Sequence, residues 1–471
     1  MGRSKTPSFI TEFPLATNSE QKHVLNSRFE AGRQIYNACL GEVLKRRDMM
    51  LRSKIYRAAR AMPHKTEEEA KARSKAFKEA REKYGFTEYS LHDYVGIIRK
   101  SWLGEHIDSL AAQKAATRAF DAANKTVIGD AEKVRFKRRG ELESLEGKNN
   151  ASGIRWRDGK VVWNSLELET LINVKDPVIA HGLSSPVKYV RIVRKIIRGK
   201  TRFYVQLVCE GKPYRKEKNK VARGKIGLDV GPSTIGEVNN AGAGLDLFCR
   251  ELDNLQKTIG ACQRKMDRQR RINNPDNYNP DGTVKKGKKK WVSSKGYLRT
   301  CAKFAELNRR QAAHRKSLHG KLINDILRRG DEIYLEKVSY KAWQRVFGRS
   351  VNCRAPGMFV SGLKRKADSG NGQVIEFPTG STALSQRCHC GRKLKKKLSA
   401  RWHSCDCGVT AQRDLYSAFL ARHIKEDGNG KRYLDIGSAA AEWPAVKSLL
   451  DAAIEDVRKK YWYKAPASFG L

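Results

Sequence analysis

Lys225-Ile-Gly-Leu-Asp229-Val-Gly-Pro-Ser-Thr234 reads as a short apolar strand that ends in an acid and a turn. Two further stretches share its character. Ile333-Tyr-Leu-Glu336 is a second apolar strand closed by an acid, and Gln412-Arg-Asp414-Leu-Tyr-Ser-Ala418 opens an apolar-periodic helix with an acid in its first turn. A buried carboxylate is costly unless it is paired or binds metal, and three that converge repel one another. Divalent cations remove that repulsion. Two Mg²⁺ ions about 4 Å apart suit Asp, Glu and Asp as ligands and can stabilise both the attacking and the leaving oxygen of a phosphodiester displacement. Each acid alone has an ordinary explanation, a turn cap or a strand end meeting solvent; their order and context carry the reading.

Composition points to the partner. The chain has 95 Lys+Arg against 50 Asp+Glu, a formal net charge of +45. That is far more than solubility requires, and self-repulsion on this scale opposes folding unless a polyanion is bound. Binding many phosphates releases condensed counterions, so nucleic acid is the indicated partner and its binding should be salt-sensitive. A chain of 471 residues with 39% hydrophobic content can form two to four ordinary cores. It contains no apolar run of about eighteen residues and no charged-then-apolar leader, so neither membrane insertion nor secretion is expected, and the cytoplasm is the expected compartment.

Phe9–Leu15 is extended, and a capping box at Thr17 and Glu20 is expected to start a helix. A second box at Thr66 and Glu69 starts another, and residues 17–125 read as a mostly helical insertion. From Val134 the period alternates. Ile154–Trp163 forms a hairpin about Asp158-Gly159, and Tyr189–Ile197 pairs with Phe203–Val208 across Arg198-Gly-Lys-Thr201. Residues 1–16 and 126–214 are therefore expected to form one β-barrel-like domain, with Arg155, Arg157, Arg191 and Arg194 on a basic or merely solvated sheet face. Residues 215–224 read as a charged linker, and 225–380 as a mixed α/β domain carrying the first two acids. Within it, 251–328 is expected as a helical hairpin. From Lys257 to Lys316 it holds 18 Lys+Arg against four acids, and its tip, Asn273–Lys290, has the composition of a mobile loop.

Cys388-His-Cys390-Gly391 and Cys405-Asp-Cys407-Gly408 are separated by fourteen residues rich in Lys and Arg. Four thiolates from two tight turns suit one structural Zn²⁺, with His389 and His403 as substitute ligands, and the glycine after each pair permits the turn. One intervening residue gives a tighter bite than the commoner Cys-x₂-Cys. Cys39, Cys209, Cys249, Cys262, Cys301 and Cys353 are scattered singly, which is metal usage and not a disulfide framework. Residues 381–411 are thus expected as a zinc ribbon, 412–430 as the segment carrying the third acid, and 431–471 as a C-terminal tail whose Trp443, Tyr461, Trp462 and Tyr463 favour packing on the core.

With these residues in view, the chain resembles the TnpB-like nucleases of insertion sequences and the compact type V CRISPR effectors. The resemblance spans nearly the whole chain. It includes Ala31–Leu40, Phe136-Lys-Arg-Arg139, Ile226–Gly231 and Tyr334–Glu336, and is most specific from Ser385 through the cysteine pairs to Phe419. It implies an RNase H-like (RuvC) nuclease domain with an inserted zinc ribbon, and an N-terminal wedge β-barrel with a helical recognition insertion. Asp229, Glu336 and Asp414 would then be the RuvC-type ligands of two catalytic Mg²⁺, with Arg413 beside the reacting phosphate. The implied partners are a guide RNA and double-stranded target DNA bearing a short flanking motif, in a prokaryotic, nucleoid-associated setting, as a monomer or as a homodimer on one guide. The Cys-x-Cys pairs, Gln412 and Tyr416 depart from the family pattern.

The leading expectation is an RNA-guided, Mg²⁺-dependent DNA endonuclease. The alternative is an RNA-guided DNA-binding protein that blocks transcription with weak or no cleavage, against which the three intact acids argue. A DNA-strand-transfer enzyme would use similar acids, but the zinc hairpin immediately before Asp414 favours the RuvC arrangement. A zinc-ribbon RNA-binding protein without chemistry leaves the acids unexplained.

Overall fold

The computed structural model describes residues 6–397, 399–461 and 465–471. The chain divides into two compact units that meet in sequence at Tyr214 and Arg215. No helix among the described residues is long and apolar enough to cross a membrane.

The first unit pairs a curled sheet with a helical layer. Strand β1 (Ser8–Ala16) leads into helices α1 (Ser19–Arg52), α2 (Lys54–Ala61), α3 (Glu67–Lys83), α4 (Glu88–Ile98), α5 (Leu103–His106) and α6 (Ser109–Val127). The chain then returns through β2 (Ser144–Glu146), β3 (Ile154–Arg157), β4 (Lys160–Trp163), β5 (Leu166–Thr170), helix α7 (Pro177–Leu183), β6 (Val187–Ile197) and β7 (Lys200–Glu210). The sheet order is β2-β6-β7-β1-β5-β4-β3, antiparallel at every pairing. It curls far enough for β3, at one end, to lie against β6 near the other. Both hairpin turns place their central residues at positive φ, Asp158 and Gly159 at 46° and 79° and Arg198 and Gly199 at 51° and 75°. That is the two-residue turn whose twist matches the flanking strands.

Two local expectations change here. The first helix is capped by Asn18, not Thr17. The Asn18 side chain accepts the Gln21 N–H at 2.8 Å and Gln21 Oε1 accepts the Asn18 N–H at 3.0 Å, a reciprocal box one residue later. Three of the four arginines expected on a basic or merely solvated sheet face make contacts within the fold. Arg191 bridges Glu146 at 2.8 Å, the Arg194 guanidinium lies 4.8 Å from the Phe29 ring centroid and donates to Leu142 O, and Arg157 donates to Asn150 O. For Arg191 and Arg194 alternation reported a place in the sheet and not a free surface, while Arg157 is exposed.

The second unit is built on a five-stranded sheet. Its strands are β8 (Lys225–Val230), β9 (Thr234–Val238), β10 (Ala243–Leu247), β11 (Glu332–Lys337) and β12 (Gln373–Pro378), in the order β10-β9-β8-β11-β12. The first three form an antiparallel meander, and β11 and β12 run parallel to β8. Helices α8 (Asp253–Ile272) and α9 (Lys295–Leu327) form the excursion between β10 and β11, and α10 (Tyr340–Arg354) and α11 (Pro356–Ser369) the crossover to β12. After the short α12 (Thr379–Thr382) come β13 (Trp402–Ser404), β14 (Thr410–Gln412), α13 (Arg413–Ala421), β15 (Ile424–Glu426), β16 (Arg432–Leu434) and α14 (Ile436–Tyr461).

Alternation along β8 and β11 divides the core. Ile226, Leu228, Ile333 and Leu335 pack with Ile323, Ile326 and Leu363 of α9 and α11 on one face, while Tyr334 packs with Leu415, Phe419, Leu450 and Ile454 of α13 and α14 on the other. The charged stretch expected as a linker docks on its own unit. Ala222 N–H donates to Leu327 O, Gly224 N–H to Asp331 Oδ1, and Arg215 to Lys366 O. The tail packs as well: Ala453, Val457 and Tyr461 of α14 are buried and Trp443 lies against Tyr416 and Phe419, while Trp462 and Tyr463 fall outside the described residues.

Candidate functional site

The side chains of β8 and β11 that face α13 are Gly227 and Asp229 on one strand and Tyr334 and Glu336 on the other, because Tyr334 pairs with Gly227 and Leu335 with Leu228 in register. Both acids thus stand at the carboxyl ends of adjacent parallel strands, on one face. Helix α13 supplies the third. Its N-cap is Gln412, fully buried, whose side-chain oxygen accepts the Leu415 N–H at 2.9 Å. This fixes the first turn and turns Asp414, 5% exposed, inward.

Two glycines let α13 come close enough. A Cβ at Gly227 would lie 1.8 Å from Ala418 O, and one at Gly236, the register partner of Asp229, would lie 2.9 Å from Asp414 O. Asp229, Glu336 and Asp414 therefore share one end of the sheet. Burial, then the charges of Asp414 and Glu336, push the Asp229 carboxyl well above the ordinary range, with Arg413 and Arg401 opposing. Burial raises Glu336 to about 7, opposed by the Leu384 N–H at 3.4 Å from its Oε1. Asp414 is held by Arg413 at 3.3 Å, Arg401 at 3.9 Å and the Thr234 hydroxyl at 3.5 Å. Arg413 also donates to Ala400 O at 2.8 Å, which ties it to the segment before β13.

Leu384 was not singled out in the sequence, and Arg401 was read only with the basic residues flanking the cysteine pairs. Arg401 is one cation in a basic stretch, and a backbone N–H has no sequence signature. Thr234 lies in the opening motif, but only the fold shows that its hydroxyl faces Asp414.

The four clustered cysteines are brought together. Their Sγ atoms lie within 4.8 Å of one another, with Cys388–Cys407 at 3.5 Å and Cys390–Cys405 at 3.6 Å. A tetrahedral Zn²⁺ with bonds of about 2.3 Å requires sulfur separations of about 3.8 Å, so the thiols are placed to hold a structural metal such as zinc. Each knuckle is closed in the same way. Gly391 N–H donates to Cys388 O and Gly408 N–H to Cys405 O, with the glycines at φ 90° and 88°. The two histidines are engaged elsewhere: His389 Nδ1 meets the Tyr416 hydroxyl at 3.0 Å, and His403 Nδ1 contacts Lys396. Tyr416 also lies 3.4 Å from Cys388 Sγ and accepts the His389 N–H, so the knuckle is bonded to the helix that carries Asp414.

No family model matches the chain, and no curated protein matches it in sequence. Among solved structures it is similar to a Cas12f1–sgRNA–target DNA complex, with 11% identity and a TM-score of 0.44, covering 88% of this chain and 98% of that one. It is also similar to a CRISPR–Cas12f ternary complex, with 11% identity, a TM-score of 0.28 and the same coverage.

Proposed function

We propose that the protein is an RNA-guided, Mg²⁺-dependent DNA endonuclease, whose second unit is an RNase H-like (RuvC) nuclease and whose first is a wedge barrel with a helical recognition insertion. The observation that carries the chemistry is the convergence of Asp229, Glu336 and Asp414 at one end of a sheet with three antiparallel and two parallel strands. Three carboxylates among which burial, and then the charges of Asp414 and Glu336, lift the Asp229 carboxyl fit divalent cations as ligands. Two Mg²⁺ bound there would activate water and neutralise charge at the attacking and leaving oxygens. The chain's own residues divide the remaining work. Arg413 and Arg401 stand beside Asp414, where cations meet a phosphate, and α13 holds Asp414 against β8.

The guide RNA and the target DNA enter this reading through the net charge of +45 and the motif resemblance from Ser385 to Phe419. The test is to purify the protein with the RNA it retains, sequence that RNA, and challenge matched duplex DNA bearing a randomised flank with Mg²⁺, beside Asp229→Ala. Guide-dependent cutting abolished by the substitution supports the nuclease. Guide-dependent binding without cutting moves the conclusion to a DNA-binding blocker, and the absence of any bound RNA counts against both.

A further inference from the structure

Helices α8 and α9 form a hairpin that leaves the sheet at the acid-bearing edge. Strand β10 runs parallel to β8, so the chain departs from the end where Asp229 lies, through Phe248 and Leu252 into α8. Helix α9 returns to the opposite edge, because Leu327 precedes the amino end of β11. Where α9 passes Phe248, His319 stacks on that ring at 5.5 Å. The α9 residues from Lys295 to that crossing therefore extend past the acid-bearing edge by about 35 Å at 1.5 Å per residue. The projecting part has its own small core, Ile259, Cys262 and Leu307 with Leu255 and Phe304, and a Gln311–Gln256 hydrogen bond at 2.7 Å.

Its tip is built, contrary to the mobile loop that composition implies. Asn274 accepts the Val292 N–H at 2.6 Å and donates to Val292 O and Arg270 O, both at 2.9 Å. Asn277 clamps the two ends of the lysine run, its carbonyl accepting the Lys285 N–H at 3.0 Å and its side chain donating to Lys290 O at 2.9 Å. Trp291 is covered by the Arg270 guanidinium at 3.7 Å, with Tyr278 at its edge. The loop so held presents Lys285, Lys286, Lys288 and Lys290, all exposed. Three of the four acids between Lys257 and Lys316 are turned to other partners: Asp267 to Arg271, Glu306 to Arg309, and Asp281 to Thr283.

The geometry points to the hairpin tip as a docking surface for the phosphates of the DNA that enters the acid site, about ten base pairs from Asp229 at 3.4 Å per step. The inference rests on the proposed nuclease reading for its choice of DNA. The choice follows from direction: the hairpin leaves by the edge where the acids lie, so the polymer held at its tip is the one presented to them. A folded lysine loop loses less conformational freedom on binding than a mobile one, which is what the asparagine clamp provides.

The test uses the full chain with its retained RNA, carrying Asp229→Ala so that DNA is bound and not cut. Lys285→Gln/Lys286→Gln/Lys288→Gln/Lys290→Gln is compared with an equal loss of exposed charge on the C-terminal tail, Lys431→Gln/Lys447→Gln/Arg458→Gln/Lys459→Gln. The hairpin variant should retain the RNA, bind target DNA at least about 10-fold more weakly, and show a slope of log affinity against log salt smaller by about 3, while the tail variant changes little. Equal losses in the two variants would reduce the effect to net charge and overturn the proposal. Loss of RNA retention with DNA affinity unchanged would also overturn it, by making RNA the occupant. Where no RNA is retained, the comparison is made on DNA alone, so failure of the guided reading remains distinct from failure of the docking surface.

Discussion

A Cβ on Gly227 would stand 1.8 Å from the carbonyl oxygen of Ala418, so α13 rests directly on the backbone of β8 and Asp414 reaches Asp229. Gly227→Ala must push the helix away. The expected cost is about 3 kcal/mol, read by urea unfolding of the second unit, with the proposed DNA cleavage lost. Gly236→Ala, whose Cβ would meet Asp414 O at 2.9 Å, requires a smaller shift. It should cost about 1 kcal/mol while still lowering cleavage, because the atom displaced belongs to the third acid. Normal cleavage in Gly227→Ala would remove the close approach from the account of the site.

The acids carry a thermodynamic signature separate from turnover. Burial and the neighbouring carboxylates raise the Asp229 carboxyl, so in metal-free protein near neutral pH its charge destabilises the fold. Asp229→Asn should therefore stabilise the metal-free protein by about 1 kcal/mol or more, and Mg²⁺ should stabilise the wild type but not the variant. Thermal unfolding with and without Mg²⁺ checks both. A metal-free variant that melts below the wild type would contradict the repulsion inferred at the site.

Removing metal from the knuckle should loosen Asp414 through Tyr416, whose hydroxyl lies 3.4 Å from Cys388 Sγ. Tyr416→Phe keeps the ring, which packs 5.3 Å from Trp443, and deletes only the hydroxyl. The expected result is zinc affinity lower by about 10-fold or more in competition with a chromophoric chelator, with a stability loss of about 1 kcal/mol. Unchanged zinc affinity would leave the hydroxyl a packing feature alone.

Much of this site was legible because its chemistry follows short-range rules. Gly227, Asp229, Tyr334 and Glu336 alternate at strand period, and the Cys-x-Cys-Gly pairs carry their own turn signal. The convergence was expected from the three motifs together, but the geometry that produces it was not legible. It depends on which strands are neighbours and on the approach of α13, set by contacts between residues far apart in the chain. The arginines of the first unit show the converse: alternation put Arg191 and Arg194 in the sheet, but Glu146 and Phe29, which engage them, lie far away in sequence. The hairpin tip was misjudged because polar, turn-rich composition also describes a loop knit by asparagine side chains.

His319 gives the second unit an acid-sensitive joint. It is 3% exposed, stacked on Phe248 and edge-on to Phe359, and its Nε2–H donates to Arg354 O at 2.9 Å, while Nδ1 has no hydrogen-bond partner among the described residues. Burial lowers its pKa from 6.5 to about 4, and the Arg315 charge acts in the same direction. Between those values the unfolded chain binds the proton and the folded chain does not. The contribution is complete above pH 6.5 and is lost as the pH falls toward 4, by up to about 3 kcal/mol. His319→Gln, which keeps a donor for Arg354 O and cannot titrate, should flatten this dependence. Urea midpoints of the second unit measured from pH 7 to pH 4.5 provide the check. A wild type and variant that lose stability in parallel would place the acid sensitivity in other groups.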